Sequence, residues 1–157
     1  MAEEVFYTAY AVFARREPAP DEVAQATRDL IDALAGTGVT TRGLYDVHGM
    51  PAEADLLVWL HGQSASDLQE AERLFQQEAF GGTVELVWSG FGVHRQAEFS
   101  RDHSPAFLRG LEPRRWLTVY PFVRSYEWYV LPEEERREML ADHGLKGRDY
   151  PQVSSNT

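Results

Sequence analysis

The sequence predicts an α+β protein, with one complete β-α-β-β-α-β unit followed by the beginning of a second unit of the same kind. Three observations lead to this prediction. Runs rich in β-branched and aromatic residues occur where four strands would lie, and two segments between them have apolar residues at helical spacing. A further strand-like run and a helix-like run follow residue 115. We therefore expect a ferredoxin-like unit at residues 1–95, a connection at 96–115 and an incomplete second unit at 116–157.

The N-terminal half of the first unit is predicted to be a strand followed by a helix. Residues 5–14 are mostly β-branched and aromatic, which favours a strand, and two prolines follow them. Residues 21–35 repeat apolar side chains at close to helical spacing. Gly36 and Gly38 then end the predicted helix.

The second half of this unit is predicted to be two strands, a helix and a last strand. Residues 39–48 and 54–61 indicate strands joined by a turn around residues 49–51. Ser64 is a suitable N-cap for a helix with an apolar face, and a glycine pair ends that helix. Residues 83–94 complete the unit as another strand.

The rest of the chain changes in character. Residues 96–115 are polar and interrupted by Pro and Gly, so we interpret them as a connection. Residues 116–124 indicate a new strand. Pro132 suits the first turn of a helix that we expect to run to about His143 and to stop at Gly144.

Composition limits the classes of function. The formal net charge of −10 disfavours nucleic acid and acidic membrane surfaces as partners. The absence of Cys excludes disulfides, thiolate catalysis and Cys-ligated metal sites. No secretion signal is recognisable, and no apolar run approaches the roughly 20 residues that span a bilayer. We expect a cytoplasmic protein without membrane insertion.

The histidines differ in what their positions indicate. Three lie in strand patterns or at strand ends, where an ordinary polar role is typical: His48, His61 and His94. His143 is expected at the end of a helix, where the helix dipole favours it and where a carboxylate such as Glu138 or Asp142 could orient the ring. His143 is therefore either a structural helix-end residue or a metal or haem ligand.

Four further residues could carry chemistry. Tyr120 and Trp128 have the side chains that are most easily oxidised by one electron, although both could simply fill core volume. Arg124 would lie on the same strand face as Tyr120, where it could bind a carboxylate or form a surface ion pair. His103 lies in a polar loop and is either a base or a solvated side chain.

Several segments taken together closely resemble the actinobacterial coproheme decarboxylases of the chlorite dismutase-like superfamily. The strongest are Tyr120-Pro121-Phe122-Val123-Arg124-Ser125-Tyr126-Glu127-Trp128-Tyr129, Leu131-Pro132-Glu133-Glu134-Glu135-Arg136-Arg137 and Ala141-Asp142-His143-Gly144. The others are Arg42-Gly43-Leu44-Tyr45-Asp46-Val47, Ala54-Asp55-Leu56-Leu57-Val58-Trp59 and His94-Arg95-Gln96-Ala97-Glu98-Phe99. The resemblance covers almost the whole chain.

The resemblance implies a dimeric α+β barrel of two ferredoxin-like units, a porphyrin in the second unit, and a homopentamer. It makes His143 the proximal iron ligand, Tyr120 the radical residue and His103 the distal base toward peroxide. Trp128 would lie beside the reacting propionates, and Arg124 would contact a propionate. The implied reaction converts Fe-coproporphyrin III (coprohaem), which is both substrate and redox cofactor, to haem b, with H2O2 as oxidant.

Alternatives stay open at this point. A non-catalytic porphyrin- or haem-binding protein would need the same binding residues without turnover, and an α+β barrel module could bind no haem. Chlorite dismutases carry a distal Arg after the proximal His, and none follows Pro151 here, so His103 favours decarboxylase over chlorite chemistry. Family members continue well past the proximal His, so we expect the second unit to be truncated.

Overall fold

The structure, a computed structural model, describes residues 5–94 and 104–154. The chain divides into two compact units, Met1–Arg95 and Gln96–Thr157. We call them the N-terminal unit and the C-terminal unit, and each has its own architecture.

The N-terminal unit contains a four-stranded sheet. Its strands are β1 (Phe6–Arg15), β2 (Val39–Asp46), β3 (Leu56–Gly62) and β4 (Val84–His94). Their order across the sheet is β2-β3-β1-β4, and all neighbouring pairs are antiparallel. This is the arrangement that a β-α-β-β-α-β unit of the ferredoxin-like kind adopts, so the fold class predicted from the sequence is confirmed.

Two helices pack against this sheet. Helix α1 (Val23–Ala35) follows β1, and α2 (Ala65–Leu74) follows β3 and continues into a π-helical turn at Phe75–Ala79. Helix α2 begins as predicted, because the Ser64 hydroxyl accepts a hydrogen bond of 3.3 Å from the backbone N–H of Asp67.

The core of the N-terminal unit lies between the sheet and these helices. Alternate strand residues and the apolar helix faces contribute to it: Ala9, Ala11, Phe13, Leu34, Val39, Val58, Leu60, Leu68, Ala71, Phe75, Ala79 and Phe80. Phe80 meets the Phe13 ring edge-on at 5.7 Å and lies 5.8 Å from the Phe75 ring. Burying each such aromatic side chain contributes roughly 1.5–3 kcal/mol to stability.

The other sheet face carries a cluster of aromatic and polar side chains. Trp59 is buried, and its indole N–H donates to the Thr8 hydroxyl at 3.0 Å. Tyr10 stacks on Trp59 with ring centroids 5.7 Å apart, and the Arg42 guanidinium lies 5.1 Å from the same ring. On this face, burial and then the charge of Arg42 lower the pKa of His61 to about 4. His61 is therefore neutral near pH 7.

The C-terminal unit, over residues 104–154, contains helices α3 (Tyr126–Val130) and α4 (Glu133–Gly147). The strand predicted at 116–124 is wrong, because this segment has no regular secondary structure. A strand depends on ladder hydrogen bonds to a neighbour, and no strand in residues 104–154 offers them. Among the described residues, no helix has the length and apolar character needed to cross a membrane.

Candidate functional site

The segment before α3 presents aromatic side chains to solvent. Tyr120 is 72% exposed, and its ring centroid lies 6.5 Å from that of Phe122. Because the predicted strand does not form, Tyr120 and Arg124 are not held on a common strand face. Tyr120 is instead an accessible phenol on a segment without regular secondary structure.

Helix α3 places Trp128 against Arg124. Ser125 has extended backbone angles and is the N-cap residue, so α3 begins between Arg124 and Trp128. The Arg124 guanidinium carbon lies 4.0 Å from the centre of the Trp128 ring, a cation–π contact. Both side chains are half-buried, and the Tyr129 ring packs edge-on against Trp128 at 5.3 Å. The sequence did not predict α3, but the structure does bring these two predicted site residues together.

A second guanidinium approaches Trp128 from α4. Arg136, in the second turn of that helix, has its guanidinium carbon 5.5 Å from the centre of the Trp128 ring. Arg136 is half-buried, whereas its neighbour Arg137 is exposed and pairs with Glu133 at 2.6 Å. Sequence reasoning missed Arg136, because its approach depends on how the chain turns between α3 and α4. The only indication of Arg136 in the sequence was its place in the segment 131–137, which resembles the family.

Helix α4 carries His143 but does not end there. Three acidic residues lie in its first turn and Lys146 in its last turn, as the helix dipole favours. The predicted stop at Gly144 is wrong, since α4 continues to Gly147. An interior Gly costs only about 1 kcal/mol, and the Asp142–Lys146 ion pair of 2.6 Å spans Gly144. This i,i+4 pair helps to carry the helix past the glycine.

His143 therefore lies one turn before the end of α4, with an exposed side chain. Asp142, one of the two carboxylates that we considered as its partner, pairs with Lys146 instead. The contacts found for Trp128 in residues 104–154 are with Arg124, Tyr129 and Arg136, and His143 is not among them. His143 is an accessible imidazole, but it is not assembled with the Arg124–Trp128 pair.

The electrostatics near Trp128 are mixed. Glu127 precedes it, and hydrogen bonds from its own backbone N–H and then from the Ser125 hydroxyl lower the pKa of its carboxyl. A carboxylate, two guanidinium groups and an indole thus lie between residues 124 and 136 of the sequence.

His103, the predicted distal base, lies outside the described residues. In residues 5–94 and 104–154, no cluster of three or more His, Asp or Glu side chains could hold a metal ion.

A family model described as chlorite dismutase matches residues 16–157. The chain belongs to the chlorite dismutase family. The resemblance inferred from the sequence is thereby confirmed at the family level.

Two curated members of the family are similar to this chain. A coproheme decarboxylase of Mycolicibacterium smegmatis is 45% identical over 96% of this chain and 68% of its own length. A coproheme decarboxylase of Staphylococcus carnosus is 27% identical over 83% of this chain and 61% of its own length. The chain thus spans about two-thirds of the length of these relatives.

Solved structures support the chlorite dismutase fold. A mutant chlorite dismutase from Candidatus Nitrospira defluvii superposes with a TM-score of 0.70 at 20% identity, covering 92% of this chain and 66% of that chain. The chlorite dismutase from the same organism in complex with imidazole gives a TM-score of 0.69 at 19% identity, and the match covers 96% of this chain and 67% of that chain. At these identities the likeness concerns the fold alone.

Proposed function

We propose that this chain carries the chemistry of a coproheme decarboxylase, an oxidoreductase of haem biosynthesis. The observation that supports this best is the 45% identity, over 96% of the chain, to the Mycolicibacterium smegmatis relative of that name. The substrate would be Fe-coproporphyrin III, the product haem b and the oxidant H2O2. Each propionate that becomes a vinyl group releases CO2, a proton and two electrons, and one H2O2 accepts those two electrons.

The C-terminal unit fits a porphyrin better than the N-terminal unit does, and we assign the site to residues 116–157. A porphyrin needs an apolar surface, a cation for its propionates and an imidazole for its iron. The unit exposes several large apolar side chains: Trp116, Tyr120, Phe122, Val123, Tyr126, Tyr129 and Val130. Arg124 supplies a guanidinium close to them in sequence, and His143 supplies the imidazole.

The proposed roles follow from what each side chain can do. His143 would bind the iron through its exposed imidazole. Arg124 would hold a propionate carboxylate, and its contact with Trp128 at 4.0 Å would fix the guanidinium for that purpose. His103 would accept a proton from peroxide. Bound iron porphyrin and peroxide together supply oxidising equivalents.

Tyr120 would be the residue that acts on the substrate carbon. Its phenol would lose one electron and one proton, and the resulting radical would take a hydrogen atom from the β-carbon of a propionate. Loss of CO2 and of one further electron would then leave the vinyl group. In this role, the exposed position of Tyr120 gives a substrate direct access to the phenol oxygen.

The proposal is tested with iron coproporphyrin III and a titration of H2O2. We expect a saturable shift of the Soret band on binding, and then loss of two CO2 from the porphyrin by mass spectrometry. His143→Ala should abolish the spectral signature of imidazole ligation. Saturable binding without any loss of CO2 would instead identify a non-catalytic porphyrin-binding protein.

We also propose that the protein is a cytoplasmic homopentamer, as the family resemblance implies. The many exposed apolar side chains of the C-terminal unit are compatible with burial against other subunits. Sedimentation velocity with and without the porphyrin tests the assembly, and a purely monomeric protein in both would contradict it.

A further inference from the structure

The contacts of Trp128 suggest a function for Arg136. Trp128 is flanked by two guanidinium groups, with Arg124 at 4.0 Å and Arg136 at 5.5 Å from the ring centre. The residues come from three places: the segment before α3, α3 itself and α4. Because all three side chains are half-buried, solvent screens the two charges less than it would on an open surface.

A positive charge over an indole has opposite effects on its two oxidation states. It attracts the electron-rich face of the neutral ring. It repels the radical cation that forms when one electron is removed. Both effects raise the free energy needed to oxidise the ring, and two guanidinium groups reinforce each other.

We propose that Arg136, together with Arg124, protects Trp128 from one-electron oxidation. In the proposed function, on which this inference rests, an oxidised Tyr120 must persist until it takes a hydrogen atom from the substrate. Trp128 is a competing donor, since it could transfer one electron to the Tyr120 radical, which would leave an indole radical cation at Trp128 and a tyrosinate that takes up a proton from solvent. The radical would then be on Trp128, and the phenol would be restored. Arg136 acts through Trp128 and is therefore a positioning residue rather than a catalytic one.

The surrounding charges are consistent with this assignment. The carboxylate of Glu127 accepts hydrogen bonds from its own backbone N–H and from Ser125. Glu133, in the first turn of α4, pairs with Arg137 at 2.6 Å. The two guanidinium groups, by contrast, contact the indole ring directly.

The test uses the full chain without porphyrin, exposed to azide radicals, which oxidise Trp and Tyr by one electron. Peptide mapping by mass spectrometry gives the oxidised fraction of Trp128 relative to Trp116, an exposed Trp of the same unit. Arg136→Gln should raise this ratio about three- to tenfold. Arg136→Lys, which keeps a cation, should leave it near the wild-type value. Arg137→Gln is the matched control, because it removes a neighbouring guanidinium that pairs with Glu133 at 2.6 Å.

The inference is overturned if Arg136→Gln leaves the ratio unchanged. It is also overturned if Arg136→Lys raises the ratio as much as Gln does, since coverage of the ring rather than charge would then explain the effect. Circular dichroism checks that α4 persists in each variant, and Arg124→Gln provides an independent removal of charge from the same ring. Because no porphyrin is present, a negative result leaves the proposed decarboxylase function standing.

Discussion

The two units of the chain differ in how far their aromatic side chains are exposed. In the N-terminal unit Phe13 and Phe75 are at most 1% exposed and belong to the core between the sheet and the helices, and Trp59 is buried on the other sheet face. In the C-terminal unit Tyr120 and Tyr126 are 72% and 90% exposed. Large exposed apolar surfaces usually mark a binding site or an interface. The N-terminal unit thus buries several aromatics for stability, although β4 also exposes Trp88 and Phe91, whereas most described aromatics of the C-terminal unit are available to a ligand or partner.

The largest effect that the comparison predicts is on folding. Phe75→Ala removes a fully buried ring that packs against Phe80, and it should lower the free energy of unfolding by about 3–5 kcal/mol. Phe122→Ala, the matched change in the C-terminal unit, should lower it by no more than about 0.5 kcal/mol. Urea unfolding followed by circular dichroism measures both, and equal losses would break the comparison.

A second effect concerns pH and the N-terminal unit. The pKa of His61 is lowered to about 4 in the folded state, by burial first and then by Arg42. The unfolded chain therefore binds a proton at higher pH than the folded chain does, so stability is full above pH ~6.5 and falls as the pH drops toward 4. Discounted for partial solvent access, this loss is about 2 kcal/mol. Between pH 7 and 4.5, the free energy of unfolding of His61→Gln should fall by about 2 kcal/mol less than that of the wild type. Urea unfolding at each pH measures this, and identical pH profiles for the two proteins would disprove the assignment.

The smallest effect compares two serines that precede helices. Ser64 caps α2 through a hydrogen bond from the N–H of Asp67, so Ser64→Ala should cost about 1 kcal/mol of unfolding free energy. Ser125 precedes α3 without a capping bond from its side chain, so Ser125→Ala should cost less than about 0.5 kcal/mol. A larger loss at Ser125 would show that α3 is more important for stability than its exposure suggests.

How far the sequence predicted the structure also differs between the units. The four strands and two helices of the N-terminal unit followed from local patterns, because each pattern finds its partner within the same unit. Residues 116–124 have a strand pattern too, yet no neighbour pairs with them in the described C-terminal unit. Strand pairing is a tertiary property that local composition cannot supply.

The candidate site shows the same limit. Sequence reasoning named Tyr120, Arg124, Trp128 and His143, and the structure places Arg124 against Trp128. Sequence reasoning did not show that α4 continues past Gly144, because it did not take account of the Asp142–Lys146 ion pair, which offsets the cost of a glycine. Nor could it foresee the approach of Arg136, which the turn between α3 and α4 determines. His103 lies outside the described residues, and its role stays a prediction.

The central claim is that an exposed tyrosine of the C-terminal unit, rather than an aromatic of the N-terminal core, performs the chemistry. The most direct measurement compares Tyr120→Phe with Tyr10→Phe, which removes a phenol oxygen from the N-terminal unit. Both variants are loaded with iron coproporphyrin III and treated with H2O2, and CO2 loss is followed by mass spectrometry. We predict that Tyr120→Phe binds the porphyrin but loses no CO2, while Tyr10→Phe reacts like the wild type. Wild-type loss of CO2 from Tyr120→Phe would contradict the account.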